Sequence, residues 1–172
     1  MKGRNKMNTK TCSQTRASKD YRVFPFNVNM HDSLFGGTLA AWVDECASIS
    51  VTRFARSYAV TASIDSFDYH APLHGGVTAT VETYVTGRGT KSVEVFCKVL
   101  GEDPLTGERF LASTSFWTFV LLGEIASELP VLVPESDEEM MICQGYALRR
   151  QIQQEKRKQH KKIVTYIDLG GV

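Results

Sequence analysis

Residues 24–37 read FPFNVNMHDSLFGG, and residues 38–56 continue as TLAAWVDECASISVTRFAR. In the second stretch Leu39, Val43, Cys46, Ala47, Ser50 and Phe54 recur at helical spacing, and Trp42 and Ile49 widen the apolar stripe. An arc this broad predicts a helix buried on much of its surface. Ser33 is the expected cap. The helix should end near Arg56, with Arg53 and Arg56 at the favourable end of its dipole. The first stretch is rich in turn formers and brings two glycines, Gly36 and Gly37, to the helix start.

Outward from this helix the period changes. Four strand-like runs follow: 59–71 (AVTASIDSFDYHA), 76–89 (GVTATVETYVTGRG), 91–102 (KSVEVFCKVLGE) and 109–122 (RFLASTSFWTFVLL). In the second, Val77, Ala79, Val81, Thr83 and Val85 share one face, with Thr78, Thr80, Glu82 and Tyr84 opposite. Pro72 with Gly75–Gly76, Gly87 with Gly89, and Asp103–Pro104 with Gly107 separate the runs. One long helix followed by an antiparallel meander is an α+β pattern, satisfied by an antiparallel sheet wrapped around one long central helix. Residues 1–14 are polar and aperiodic and read as a flexible arm, with a short leading strand within Thr15 to Phe24. The folded domain is placed at 15–135. Residues 123–139, with Pro130, Pro134 and an acidic run, read as a linker, and 136–172 as a charged helical extension.

Composition excludes several function classes. The chain has 172 residues, 42% hydrophobic and 23% charged, with a net charge of +1. No global field draws it to nucleic acid or membrane, and no apolar run approaches a membrane span. No secretory signal is visible. The four cysteines are scattered, with no CxxC pair. That points to reduced thiols in a cytoplasmic protein rather than to a bridged framework or a zinc site.

Chemistry concentrates around the helix. Its only acids are Asp44 and Glu45. Asp44 falls at one margin of the apolar arc, where partial desolvation suits a general base or nucleophile; a solvated carboxylate or an arginine partner is the competing reading. Leu34 to Gly37 open the helix, where free N–H groups hold an anion or a developing oxyanion, or simply form a tight turn. Asn29 orients a carbonyl or a water, or is a turn residue. His31, His70 and His74 lack the spacing and the neighbouring acids of a metal site. Gly87 to Thr90 is a hairpin that also offers phosphate-binding donors. The basic run from Arg149 to Lys162 lacks interleaved aromatics and reads as a solvated face, or as help with the phosphates of a nucleotide-bearing ligand.

Together these blocks resemble the cytosolic acyl-CoA hydrolases of the hot-dog superfamily. That signature runs, loosely, FP-x-D-T-N-x-x-G-x-LFGG-x-x-x-x-W-M-D-E-x-A. Phe24–Pro25, Asn29, Leu34 to Gly37, Trp42, Asp44–Glu45 and Ala47 match it in register. Val60 to Ala62 with Asp65 through Pro72, Gly87 to Val93, and Trp117 to Val120 resemble its later blocks, so the similarity spans about residues 20 to 135. The departures are Asn27 and Val28 for D-T, Asp32 for the glycine, and Tyr69 or His70 for a phenylalanine. The resemblance implies a hot-dog fold that pairs into dimers with a continuous sheet and assembles into hexamers. It implies an acyl-CoA thioesterase with no metal and no cofactor beyond the CoA of its substrate. Asn29 of one subunit would act with Asp44 of its neighbour, Gly36 and Gly37 would bind the carbonyl oxygen, and Thr61 would orient groups nearby. Arg88, Thr90 and Ser92 would contact CoA. A non-enzymatic acyl-CoA sensor on the same fold is the alternative, and a hot-dog dehydratase would need a histidine that the helix lacks.

Overall fold

The computed structural model describes residues 8–123, 128–168 and 170. Its elements are β1 (Thr9–Thr11), α1 (Cys12–Thr15), β2 (Ala17–Arg22), α2 (Gly36–Ala55), β3 (Ala59–Tyr69), β4 (Thr78–Arg88), β5 (Ser92–Glu102), β6 (Arg109–Leu121), β7 (Val131–Val133), α3 (Asp137–Gln144) and α4 (Tyr146–Val164). The long helix and the four strand runs thus form where periodicity places them.

Helix α2 starts at Gly36 with Phe35 as its N-cap and no side-chain cap, so Ser33 does not fill that role. It ends at Arg56, which turns left-handed (φ 51°) and donates its N–H to Thr52 O at 2.9 Å. Leu39, Val43, Cys46, Ala47, Ser50, Val51 and Phe54 are buried. The helix is nevertheless less enclosed than its apolar arc predicts. Ala41, Glu45, Ser48, Ile49 and Thr52 are exposed, and Trp42 lies at the margin, stacked on Tyr21 with ring centroids 4.3 Å apart. The physical reason is that the sheet of a single chain covers only one side of the helix.

That sheet is antiparallel throughout, in the order β2-β4-β5-β6-β3. Ala79, Val81, Thr83 and Val85 with Val93, Val95, Cys97 and Val99 are buried on its inner face. β3 forms one edge, and much of it is exposed, including Val60 and Ile64.

Tyr84 and Phe96 lie on the outer face, yet both are buried in a second small core with Cys12, Phe116, Leu132, Ile142 and Cys143. The two ends of the chain build this cover. Residues 1–7 lie outside the described residues, but from Thr9 onward the expected arm is ordered: β1 pairs in parallel with β7. Arg16 meets the buried Glu139 at 3.0 Å. A three-residue strand with no periodicity leaves no local signal, and its partner lies near the far end of the chain. The expected single helix after residue 138 is two, α3 and α4, broken at Gly145. A capping box between Ser136 and Glu139 starts α3. Among the described residues no helix is long and apolar enough to cross a membrane.

Candidate active site

The site grows from the turn before α2. Asn29 N–H donates to Ser33 O (2.9 Å), and Asn29 Oδ1 accepts from His31 N (2.8 Å) and Ser33 Oγ (3.2 Å). The turn reading of Asn29 is what the geometry shows: its side-chain oxygen builds the turn, while its Nδ2 makes no bond among the described residues. Asp32 N–H closes the turn on Asn29 O at 3.0 Å.

Asp32 adopts φ 53°. This is the left-handed region that glycine enters freely and aspartate tolerates, which explains why the resembled signature has glycine there. The Asp32 carboxylate faces the His74–Gly75 segment: Oδ2 is 3.9 Å from His74 Nδ1, which also donates to Asp32 O at 2.7 Å. Conformation, rather than charge, is the requirement at this position. Asp32→Gly is expected to fold at least as stably as the wild type, whereas Asp32→Val should lose about 1–2 kcal/mol. Thermal unfolding of both variants checks the order.

With no side chain capping α2, the N–H groups of Gly36, Gly37 and Thr38 find no acceptor among the described residues, and the first bond of the helix is Leu39 N to Phe35 O (3.0 Å). A Cβ on Gly37 would meet nothing within 4 Å, so a ligand can approach. A Cβ on Gly36 would lie 2.7 Å from Tyr69 Oη. The phenol thus rests on the helix start, and its burial raises its pKa. It stays protonated and able to donate at neutral pH. A recess of about 280 Å³ opens beside it, lined by Leu34, Leu39, Pro72 and Leu73 among others.

The two acids of α2 are clearly distinguished. Glu45 Oε2 accepts from Lys19 Nζ at 2.8 Å and from Tyr21 Oη at 3.3 Å, and Lys19 holds its carboxyl below the usual range. Asp44 has no cationic partner among the described residues; its Oδ1 accepts a hydrogen bond from Thr61 Oγ1, on β3. Asp44 is half-buried.

One chain does not bring all these groups together. Asp44 lies on the face of Gly37 but about two turns further on, roughly 10 Å along the axis. A carbonyl held at the helix start is out of its reach. The histidines are dispersed: His70 Nε2 bonds Thr114 Oγ1 (2.9 Å), and His74 serves Asp32. Among the described residues no group of three His, Cys, Asp or Glu side chains is placed so that it could hold a metal ion.

The hairpin after β4 closes through Gly89 N to Ser92 O at 2.7 Å. Its position relative to the site follows from register: Thr61 pairs with Phe119, and Phe119 with Val93, next to Ser92. Two strand spacings put this end of β5 about 10 Å from Thr61. Helix α4 lies on the hairpin, with Tyr146 against Gly87 and the Arg150 guanidinium 3.4 Å from a Cβ on Gly89. Tyr69 and Arg150 are the neighbours that sequence reasoning misses. Arg150 belongs to the visible basic run, but nothing in that run says where it docks.

A family model described as the thioesterase superfamily matches residues 31–108. The chain is 44% identical over 159 residues to an uncharacterised acyl-CoA thioester hydrolase of Bacillus subtilis, covering 91% of this chain and 92% of that one. The chain belongs to the acyl-CoA thioester hydrolase family. Among solved members of this hydrolase family, the acyl-CoA hydrolase of Bacillus cereus is 35% identical with a TM-score of 0.88, covering 94% of this chain and 99% of that one. That of Staphylococcus aureus, solved with butyryl-CoA, CoA and CoA disulfide, is 32% identical with a TM-score of 0.85, covering 92% and 98%. The Staphylococcus hydrolase has also been solved as single alanine variants of an aspartate, a threonine and an asparagine. The five-stranded sheet over α2 is the hot-dog fold of these hydrolases.

Proposed function

We propose that the protein hydrolyses acyl-CoA to a free fatty acid and CoA, at a site completed by a second copy of the chain. The observation that carries this reading is the division within one chain. Free N–H donors lie at the start of α2, and an unneutralised, Thr61-oriented carboxylate lies about 10 Å away along the same helix. Each half lacks what the other supplies. The exposed edge of β3, which carries Thr61, is where a second copy would add. A hexameric acyl-CoA thioesterase among the solved relatives favours assembly beyond the dimer.

The thioester carbonyl points at Gly36 and Gly37 of one subunit, whose N–H groups favour the tetrahedral oxyanion. Asn29 holds the carbonyl or the water. Asp44 of the other subunit takes the proton of the water as it adds to the carbonyl carbon, or attacks that carbon itself to form an anhydride. The C–S bond then breaks and CoA leaves as thiolate, taking up a proton; on the anhydride route a water then cleaves the anhydride, releasing the fatty acid and restoring the Asp44 carboxylate. Arg88, Thr90 and Ser92, with Arg150 beside them, hold the phosphate and pantetheine portions. The free cysteines suit a reducing, cytoplasmic setting.

Purified protein is expected to release CoA thiol from a series of acyl-CoA substrates running from acetyl to palmitoyl, with a clear optimum. Saturable binding across the series with no thiol release would overturn the enzymatic reading in favour of a sensor.

A further inference from the structure

Cys12 and Cys143 stand near opposite ends of the sequence, yet their sulfurs lie 3.7 Å apart. Cys12 is fully buried at the start of α1, and Cys143 is half-buried near the end of α3. The segments carrying them are pinned independently of the thiols. β1, immediately before Cys12, pairs with β7. Ser13 donates to Glu135, and Arg16 pairs with Glu139 at 3.0 Å. Tyr84, Phe96 and Phe116 pack around the pair. A disulfide needs sulfurs at ~2.05 Å, so each has to move only about 1 Å.

We propose that Cys12 and Cys143 are a reversible dithiol–disulfide pair, closed by a low-molecular-weight disulfide, which ties the N-terminal segment to the C-terminal helices. Cys143 reacts first. It is the more accessible of the two, the Cys12 thiol lies within hydrogen-bond distance of it, and Arg149 lies nearby; together these favour its thiolate over that of Cys12. The Cys143 thiolate attacks one sulfur of the small disulfide, and one small thiolate leaves. Cys12 loses its proton and attacks Cys143 Sγ, and the second small thiolate leaves. The two cysteine sulfurs give up two electrons, the small disulfide accepts them, and two small thiols result. The other cysteines are built not to compete. Cys97 is buried in the core with its thiol pushed up by burial, and buried Cys46 donates its S–H to Val81 O. This inference is independent of thioester hydrolysis.

The test treats the full-length protein with oxidised glutathione and maps peptides without reduction. Free thiols are expected to fall from four to two, with one linked pair of peptides containing Cys12 and Cys143. Dithiothreitol should reverse the change. The oxidised protein should melt at least about 5 °C higher, because the bridge closes a long loop. Cys12→Ser should stop at a glutathione adduct on Cys143, and Cys143→Ser should form no internal bridge. A stable glutathione adduct on wild-type Cys143 with Cys12 still free overturns the proposal. So does a disulfide between two chains, or equal thiol loss in Cys143→Ser.

Discussion

Replacing Asp44 by alanine is expected to lower thioester hydrolysis at least about a hundredfold, the scale of a lost general base, without unfolding the protein. Asp44 is half-buried, carries no salt bridge among the described residues and lies on the unfilled side of α2, so little packing is lost. Asp44→Asn sharpens the result. It keeps the volume and an oxygen for Thr61 Oγ1 but removes the base, and should be as inactive as the alanine variant. Glu45→Gln, which touches only the Lys19–Tyr21 cluster, should retain most of the activity. Full activity in Asp44→Asn would sink the assignment. Mixing tests the shared site. If Asn29 and Asp44 of one active site come from different chains, co-refolded Asn29→Ala and Asp44→Ala chains should recover about a quarter of wild-type activity. Random pairing makes half the dimers mixed, and each mixed dimer has one intact site. If both residues serve from one chain, the mixture stays as inactive as its components.

The parts of the molecule legible in the sequence are those whose signal is local. The limits of α2 follow from spacing between Leu39 and Phe54, and the four long strands follow from alternation between glycine and proline breaks. Asp32 was legible only as a departure; its φ of 53° shows that the resembled signature's glycine and this aspartate answer the same backbone demand. Illegible were the contacts joining distant segments. Tyr84 and Phe96 alternate onto the outer face, where period-two reasoning expects solvent; Ile142 and Cys143 cover them from the other end of the chain. The same blindness hides the Cys12–Cys143 pair and leaves Thr9 to Gln14, which are ordered, within the flexible arm expected over residues 1–14. Composition marks such segments as polar. It does not record that Thr11 caps α1 or that Ser136 and Glu139 cap α3. The apolar breadth of α2 is the opposite case. Ile49 is apolar yet exposed, so the sequence carries a demand that one chain alone leaves unmet, as a helix facing a second subunit would.

The largest expected loss of stability comes from Arg149→Ala, far from the proposed chemistry. Glu94 projects from β5 onto the outer face and is only 5% exposed. Its carboxylate is met by Arg149 Nη2 at 2.7 Å and Nε at 3.1 Å, with Thr86 Oγ1 donating at 2.7 Å. The guanidinium also donates to Ile142 O at 2.8 Å and lies 4.0 Å from the centroid of the Phe116 ring. Removing it leaves a buried carboxylate with one hydroxyl for company, strips a carbonyl of α3 of a donor, and uncovers Phe116. Loss of one partner from a buried pair costs about 3–5 kcal/mol. Arg149 is itself about a quarter exposed, so water can enter and about 2–4 kcal/mol is the reasonable range. That corresponds to a Tm lower by roughly 5–12 °C. Arg150→Ala, one residue on, is exposed and should move Tm by no more than ~2 °C. The double variant Arg149→Met with Glu94→Leu should recover much of the loss, because an apolar pair of similar length leaves no charge stranded. An unchanged Tm in Arg149→Ala would mean that α4 is a loose appendage. A cooperative drop would mean that the folding unit does not stop at residue 135: Glu94 then requires α4 to be seated, and the helix that lays Arg150 on the Gly87–Ser92 hairpin is held there by the core.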